Sequence, residues 1–487
     1  MLKKIAVVFG LTLAMLVVAG GAMYLVGARI QIDGGGGLHV GFVTSPEDQA
    51  SEIARHRDAQ RAQAAAAPDP ASQPAADAAV APSTAASSAP VTAAKAVVDP
   101  AAPYWTDFRG PRRDGIYAER TVMLNWPAGG LKPAWKQPIG SGYASFVAAK
   151  GRAFTIEQRG PQEVASAYDI ATGPELWTTG WTATFQESMG GDGPRATPTW
   201  HDGRVYVLGG AGELRALDDA TGRTIWRTNI LEDAGARNLQ WGMSAAPLIV
   251  DETVVMLPGG RNGQSVVAYN RTTGKRAWSA LDDQASYSSP MLVTLGGVRQ
   301  ILVFTASRLA GITPDRGELL WEFPWKTRYE VNASQPIVLG SNRVFISTGY
   351  GSGAALVELS TGGGGRFDVR EVWRTNRMKN QFTSSVLHEG FIYGLDESIL
   401  ACIDASTGAL KWKGGRYGYG QVMLTGGHLI VITETGELAL VRATPEGHVE
   451  LARFPALEGK TWNHPAISDG YLLVRNISEM AAFDLRK

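Results

Sequence analysis

Nine side chains recur at intervals that would let them face one another around a single pocket. They are Arg195, Trp241, Tyr287, Asn332, Gln381, Tyr419, Trp462, Asn463 and His464. Most of them lie just before an apolar stretch that reads as a short strand, and Tyr143 holds the matching place earlier in the chain. The chemistry they offer is binding chemistry. Trp241 and Trp462 can stack on a planar ligand, and Arg195 can pair with a carboxylate. The same residue types also plug channels or bond loop backbone, and His464 reads as a structural hydrogen-bonder rather than a base. No catalytic residue and no metal site is assigned. The sequence has no His-Glu-x-x-His, no P-loop and no Gly-x-Ser-x-Gly, the motifs of zinc proteases, nucleotide-binding proteins and serine hydrolases. Cys402 is the single cysteine, so there is neither an intrachain disulfide nor a Cys-x-x-Cys-His haem attachment. Lys+Arg and Asp+Glu are both 46, which gives no basic footprint for nucleic acid.

The elements that must position these residues come from a repeat. Asp-x-x-Thr-Gly, three further residues and Trp occur at Asp169, Thr172, Gly173 and Trp177, and again at Asp218, Thr221, Gly222 and Trp226. A third copy has Asn270, Thr273, Gly274 and Trp278, and a sixth has Asp404, Thr407, Gly408 and Trp412. The fourth is degraded to Thr313, Gly317 and Trp321, the fifth inserts residues between Gly362 and Trp373, and the seventh ends in Phe454. An Asp or Asn side chain accepts backbone amides two residues on and starts a turn. Gly supplies the positive φ of a short hairpin loop, and the Trp falls on the next strand with area to bury. Two apolar strands around a Gly-containing turn precede each copy, as in Thr199-Trp200, Asp202-Gly203 and Val205-Tyr206-Val207-Leu208. Successive outer aromatics stand 39 to 52 residues apart, the length of a four-stranded propeller blade.

The last unit shows how the ring closes. His464–Ile467, Tyr471–Val474 and Met480–Asp484 supply three strands, and the fourth is missing. An orphan strand carrying Trp135 stands at the other end, over residues 131–138. Pairing the two removes both exposed edges and predicts an all-β, eight-bladed propeller.

These Asp-x-x-Thr-Gly-x-x-x-Trp units resemble PQQ-like repeats, which occur in quinoprotein dehydrogenases and in the outer-membrane assembly lipoprotein BamB. The stretch Tyr104-Trp105-Thr106-Asp107-Phe108-Arg109-Gly110-Pro111-Arg112-Arg113-Asp114-Gly115 resembles the lead-in of exported propellers of this kind. The resemblance spans about residues 104–487. It implies either a non-catalytic scaffold that binds envelope proteins or a small ligand at the propeller face, or a PQQ-dependent oxidoreductase. Quinoprotein dehydrogenases resemble one another in a vicinal Cys-Cys disulfide beside the quinone, which this chain cannot make. PQQ therefore stays a possible rather than an assigned cofactor. Arg109 and Asp114 are expected to pin the lead-in onto the propeller.

Ahead of the repeats, Lys3 and Lys4 precede an apolar run from Ile5 to about Ala28, near the ~20 residues that cross a bilayer. The expectation is a single-pass anchor over residues 1–30 in the bacterial inner membrane, with a monomeric propeller in the periplasm. A cleaved signal peptide is the alternative. Residues 31–103 read as a flexible Ala/Pro-rich linker, with Ser45 and Pro46 offering a helix start but no apolar stripe behind it. Residues 104–487 form the propeller.

Overall fold

The repeat's Asp does what its spacing predicts. In the computed structural model, Asp169 Oδ1 accepts the Thr172 amide at 2.8 Å, and Gly173 N donates to Asp169 O at 2.9 Å. Gly173 then turns the chain at φ 92° into the outer strand, Glu175–Thr182. That glycine has a second duty. A Cβ there would sit 2.9 Å from the Trp135 ring, because Trp135 of the neighbouring blade packs onto this turn. The same contact links Trp177 to Gly222, Trp226 to Gly274, Trp278 to Gly317 and Trp373 to Gly408. The indole N–H of Trp135 donates to Ile170 O, that of Trp177 to Asp219 O and that of Trp226 to Arg271 O. Each acceptor immediately follows the next blade's repeat Asp or Asn. The motif thus joins blades as well as shaping each one. At the fourth copy, which lacks the Asp, that bond is lost and Trp278 Nε1 has no partner, whereas Trp412 still donates to Thr444 O of the degraded seventh copy.

The structure describes residues 23, 28–42, 45–66, 104–362 and 366–486. Among them, eight antiparallel sheets follow one another as blades, the first over Val147–Ala149, Arg152–Arg159, Gln162–Asp169 and Glu175–Thr182. Blade eight takes Ala466–Ser468, Tyr471–Arg475 and Glu479–Asp484 from the end of the chain and its outer strand, Trp135–Pro138, from the other side of the ring. Glu479 pairs with Pro138 and Ala482 with Trp135, as the orphan strand predicts. Even the missing turn glycine is replaced, since Phe454 of blade seven packs against Gly130, whose own turn is closed by Gly130 N donating to Pro127 O at 2.8 Å.

The lead-in crosses the ring from blade to blade. Trp105 O accepts from Ala148 N in blade one, Thr106 O from Trp200 N in blade two and Gly115 O from Leu424 N in blade seven. Ile116–Tyr117 then adds a parallel fifth strand to blade seven. Arg109 pins this segment as expected, donating to Ser384 O and Ser385 O in blade six. Asp114 instead serves the local turn by accepting Ile116 N. Arg113, fully buried, reaches the opposite side, to Pro247 O and Pro290 O at blades three and four.

The expectations for the N-terminal hundred residues need correction. Residues 1–22 and 24–27, most of the expected anchor, lie outside the described residues, as do 67–103 of the expected linker. Among the described residues no helix is long and apolar enough to cross a membrane. Ala28, where the apolar run ends, opens a strand, β1 (Ala28–Ile32), which forms a hairpin with β2 (Leu38–Phe42). Ser45 does cap a helix, α1 (Pro46–Ala66), its Oγ accepting Asp48 N at 3.1 Å. That helix is docked rather than solvated. Ile53 is buried, and Arg57 donates to Gln137 Oε1 and Pro138 O while pairing with Glu175 of blade one. Gln49 Nε2 donates to Ile139 O and Ile477 O. The helix thereby straps the seam where blade eight meets blade one.

Candidate functional site

The inner ends of the blades enclose a cavity of 720 Å³ along the ring axis. Phe108 of the lead-in lines it and packs edge-on against His464, with ring centroids 5.8 Å apart. The lead-in therefore floors the channel, and what remains is a cup. Loops before the inner strands form much of its wall, and every blade but the second, which supplies Arg195, contributes an aromatic side chain. Phe382 lies 4.6 Å from Trp462 and 5.7 Å from Tyr419 between ring centroids. Trp241 and Tyr287 are 5.7 Å apart, Tyr143 and Trp462 5.3 Å, and Tyr329 and Tyr350 5.4 Å. Burial pushes the Tyr287 and Tyr419 phenols up to about 12, so both are neutral donors and acceptors near neutral pH.

Of the nine residues singled out by spacing, seven line this cup: Arg195, Trp241, Tyr287, Gln381, Tyr419, Trp462 and His464. The other two are buried in the wall behind it. Asn332 donates to Thr305 O and Ala306 O and accepts from Thr348 Oγ1. Asn463 donates to Gly142 O and Ala144 O. Both tie neighbouring loops together, as short amides do where backbone carbonyls would otherwise be buried unpaired.

Arg195 at the cup, and Lys460 and Glu434 behind its wall, are held by protein partners. Arg195 donates to Gly191 O and Gly193 O and lies over the Phe185 ring at 4.4 Å, where burial draws its pKa below the usual guanidinium range. Lys460 Nζ sits 4.2 Å over the Trp462 ring, and burial lowers its pKa as well. Glu434 Oε1 accepts Trp462 Nε1 at 2.9 Å, and its Oε2 accepts Tyr419 N at 3.1 Å. Glu434 was not found from sequence, because it lies after the second strand of its blade rather than before an inner one.

His464 is fully enclosed, with Nδ1 2.6 Å from Pro465 O and Nε2 3.2 Å from Val422 O. Burial, assisted by the nearby Arg109 charge, holds its pKa down at about 3. This fixes a sign. Between pH 6.5 and 3 the unfolded chain protonates this histidine and the folded protein does not, so stability falls on acidification. Lowering the pH from 7 to 5 should remove about 2 kcal/mol of stability through this residue alone. His464→Gln should abolish that share of the acid sensitivity in urea titrations run at the two pH values. An unchanged pH slope would mean that His464 protonates in place.

The cup's mouth is not open. The turn of the N-terminal hairpin, Asp33 to Gly36, lines it. Asp33 Oδ1 accepts Gly35 N at 3.0 Å and Gly37 N at 2.6 Å, which shapes the turn. Gly34 then presents its backbone to the wall, N–H to Glu434 Oε1 and C=O to Gln381 Nε2, both at 2.8 Å.

These residues do not fit a quinone with a bound calcium. Cys402 is buried in the core between blades six and seven, with Leu429 and Val431, and does not line the cup. Among the described residues no three His, Cys, Asp or Glu side chains gather as a metal-binding set.

A family model described as outer membrane protein assembly factor BamB matches residues 160–414. Among curated proteins, the BamB of Bordetella pertussis is 21% identical over 314 residues, covering 62% of this chain and 72% of that protein. The quinohemoprotein alcohol dehydrogenase of Comamonas testosteroni is 30% identical over 126 residues, covering 24% of this chain but only 16% of the dehydrogenase. Among solved structures, BamB from Moraxella catarrhalis superimposes with a TM-score of 0.53 at 13% identity, over 72% of this chain and 97% of that one. A europium-containing methanol dehydrogenase gives 0.61 at 11% identity, over 80% and 99%. At such identities the solved structures speak to the fold alone.

Proposed function

Because this chain belongs to the PQQ-repeat propeller family of the outer membrane protein assembly factor BamB, we propose that it is a non-catalytic scaffold that binds polypeptide at its cup in the cell envelope. One observation carries this reading: the arginine, the histidine and the Glu434 carboxylate at the cup are already engaged in fixed hydrogen bonds. Arg195 is tied to two carbonyls, His464 is neutral and enclosed, and Glu434 is oriented by Trp462 and Tyr419. A general acid or base must be free to exchange a proton at working pH. Fixed acceptors framed by aromatic rings instead suit recognition, where rigid Tyr and Trp side chains give contact area at low entropic cost.

The apolar run after Lys3 and Lys4 supports an inner-membrane anchor with the propeller on the periplasmic side. In that arrangement the hairpin follows the anchor directly. A five-residue strand spans about 17 Å, so the cup's mouth would face the bilayer closely rather than stand off on a long tether.

The test places a photo-crosslinking residue at Tyr329, exposed at the rim, and at Val449, exposed elsewhere on the propeller. Irradiation of native membranes should join envelope polypeptides to the rim position and not to the other. Addition of PQQ with calcium should leave the melting temperature unchanged, since a ligand of the folded state would raise it. A rise accompanied by dye-linked alcohol oxidation would overturn the scaffold in favour of an oxidoreductase.

A further inference from the structure

We propose that the cup's mouth is a receptor for a glycine-bearing polypeptide turn, that the chain's own Asp33–Gly37 tip is its resident ligand, and that a partner protein presenting such a turn exchanges with it. The proposal rests on the scaffold reading above and names the chemistry of the partner.

The selectivity follows from two glycines that are glycine for different reasons. Gly36 has φ 84°, so its own turn demands it, and nothing lies within 4 Å of where a Cβ would be. Gly34 is not among the positive-φ glycines, so backbone conformation makes no such demand there. Yet a Cβ on Gly34 would lie 2.5 Å from Tyr419 Cδ2 and 2.7 Å from Tyr419 Cβ. The receptor wall, and not the turn, is what requires glycine at this position. Tyr419 cannot easily give way, because Phe382 packs against its ring.

Recognition is of main chain. Glu434 and Gln381 take the N–H and the C=O of one residue, and Glu434 is oriented beforehand by Trp462 and Tyr419. Such a pair reads main chain rather than side chain, and Tyr419 filters the turn for a missing side chain. Asp33 Oδ1 accepts the Gly35 and Gly37 amides, so an acidic residue before the glycine shapes the turn that the wall receives. The fitting ligand is therefore an Asp-Gly type turn.

The arrangement also favours exchange. β1 and β2 pair only with each other, and an isolated two-stranded hairpin is marginal in water. The turn lines the cavity without filling it. A longer turn from a partner can enter further and still use the same two hydrogen bonds.

The experiment uses the full chain and a fluorescent synthetic peptide with the sequence of residues 28–42. Gly34→Leu in the protein should expel its own tip and raise affinity for the peptide at least tenfold over the wild-type protein, where the resident tip competes. The peptide carrying the same Leu should not bind. Adding Gln381→Ala to the Gly34→Leu protein should weaken binding about fivefold, the loss of one hydrogen bond. In the otherwise wild-type chain, Gln381→Ala should speed deuterium uptake across residues 28–42, a measurement that does not depend on the Leu variant folding. Equal binding of the Gly and Leu peptides, absence of binding to the Gly34→Leu protein, or unchanged uptake would each overturn the proposal. Peptide binding in trans without rim crosslinks in membranes would leave the receptor standing and remove only its role as an envelope scaffold.

Discussion

Replacing Arg113 with methionine is expected to lower the stability of the propeller by about 3–5 kcal/mol, the cost of breaking a buried charged contact from one side. The side chain is 2% exposed and has no aqueous route for its charge. Its guanidinium donates to Pro290 O at 2.9 Å, to Pro247 O and to Ala246 O, and it pairs with Asp107 at 3.0 Å. Burial draws its pKa down while Asp107 opposes the fall. Methionine fills similar space but leaves the carbonyls of two blades without a donor in a site closed to water. Arg113→Lys should recover only part of the loss, because an ammonium group cannot span carbonyls on separate blades as a planar fork does. Urea denaturation of the three proteins decides it. A methionine variant within about 0.5 kcal/mol of wild type would show that the lead-in is not a structural plug. Arg109, which bonds Ser384 O and Ser385 O on the other side of the axis, predicts a loss of the same kind.

The lead-in motif marks Arg109 as a pin but leaves Arg113 and the partners of both unmarked, and the reason bears on what a sequence can reveal. The blades were legible because one local mechanism repeats: an Asp or Asn turn, a glycine that permits it, and an aromatic that docks on the next glycine. Closure was legible because Trp135 had the aromatic position and no blade before it. Arg109 and Arg113 act by reaching carbonyls more than 100 residues away, and carbonyls carry no sequence signature. The docking of helix α1 was missed differently. Its docking residues Gln49, Ile53, Arg57 and Gln60 do share one helical face, but only one of the four is apolar, so hydrophobic periodicity could not show it. The Asp33–Gly37 turn reads as a flexible break because four glycines in a row usually are one. What fixes it is a wall built from Gln381, Tyr419 and Glu434, which lie on loops of blades six and seven. The spacing argument did find the ring of the cup, since it follows the loops before inner strands. It could not separate Asn332 and Asn463, which face the wall's interior, from neighbours that face the cavity. One residue's shift along a loop decides that.

Deleting residues 131–138 should abolish cooperative folding, whereas replacing residues 67–103 with a Gly/Ser segment of equal length should leave the melting temperature within a degree or two. The contrast follows from what residues 131–138 touch and from the composition of residues 67–103. The eight-residue stretch contains the outer strand of blade eight, and its removal leaves Glu479–Asp484 as an open edge with unpaired backbone groups. Trp135 leaves the Gly173 turn and the Ile170 carbonyl. Gln137 goes too, and with it the donor to Gly173 O and the acceptor that holds Arg57 and Gln60 of α1. The first and last blades then lose the outer-strand contact and the helix that straps them, and keep only inner contacts such as Arg475 to Thr155 and Ile156. A loss beyond about 5 kcal/mol is comparable with the whole stability of a typical domain, so the deletion should yield a protein with no sharp thermal transition. Trp135→Ala supplies a version that still folds. It should cost about 3 kcal/mol, since it removes a large aromatic side chain and leaves a gap beside Gly173. The Ala/Pro/Ser/Thr composition of residues 67–103, by contrast, has too few large apolar groups to offset its own ordering. Calorimetry of the three variants would settle the matter. A Trp135→Ala protein as stable as wild type would mean that the ring is held by the other blade contacts and that the borrowed strand merely covers an edge.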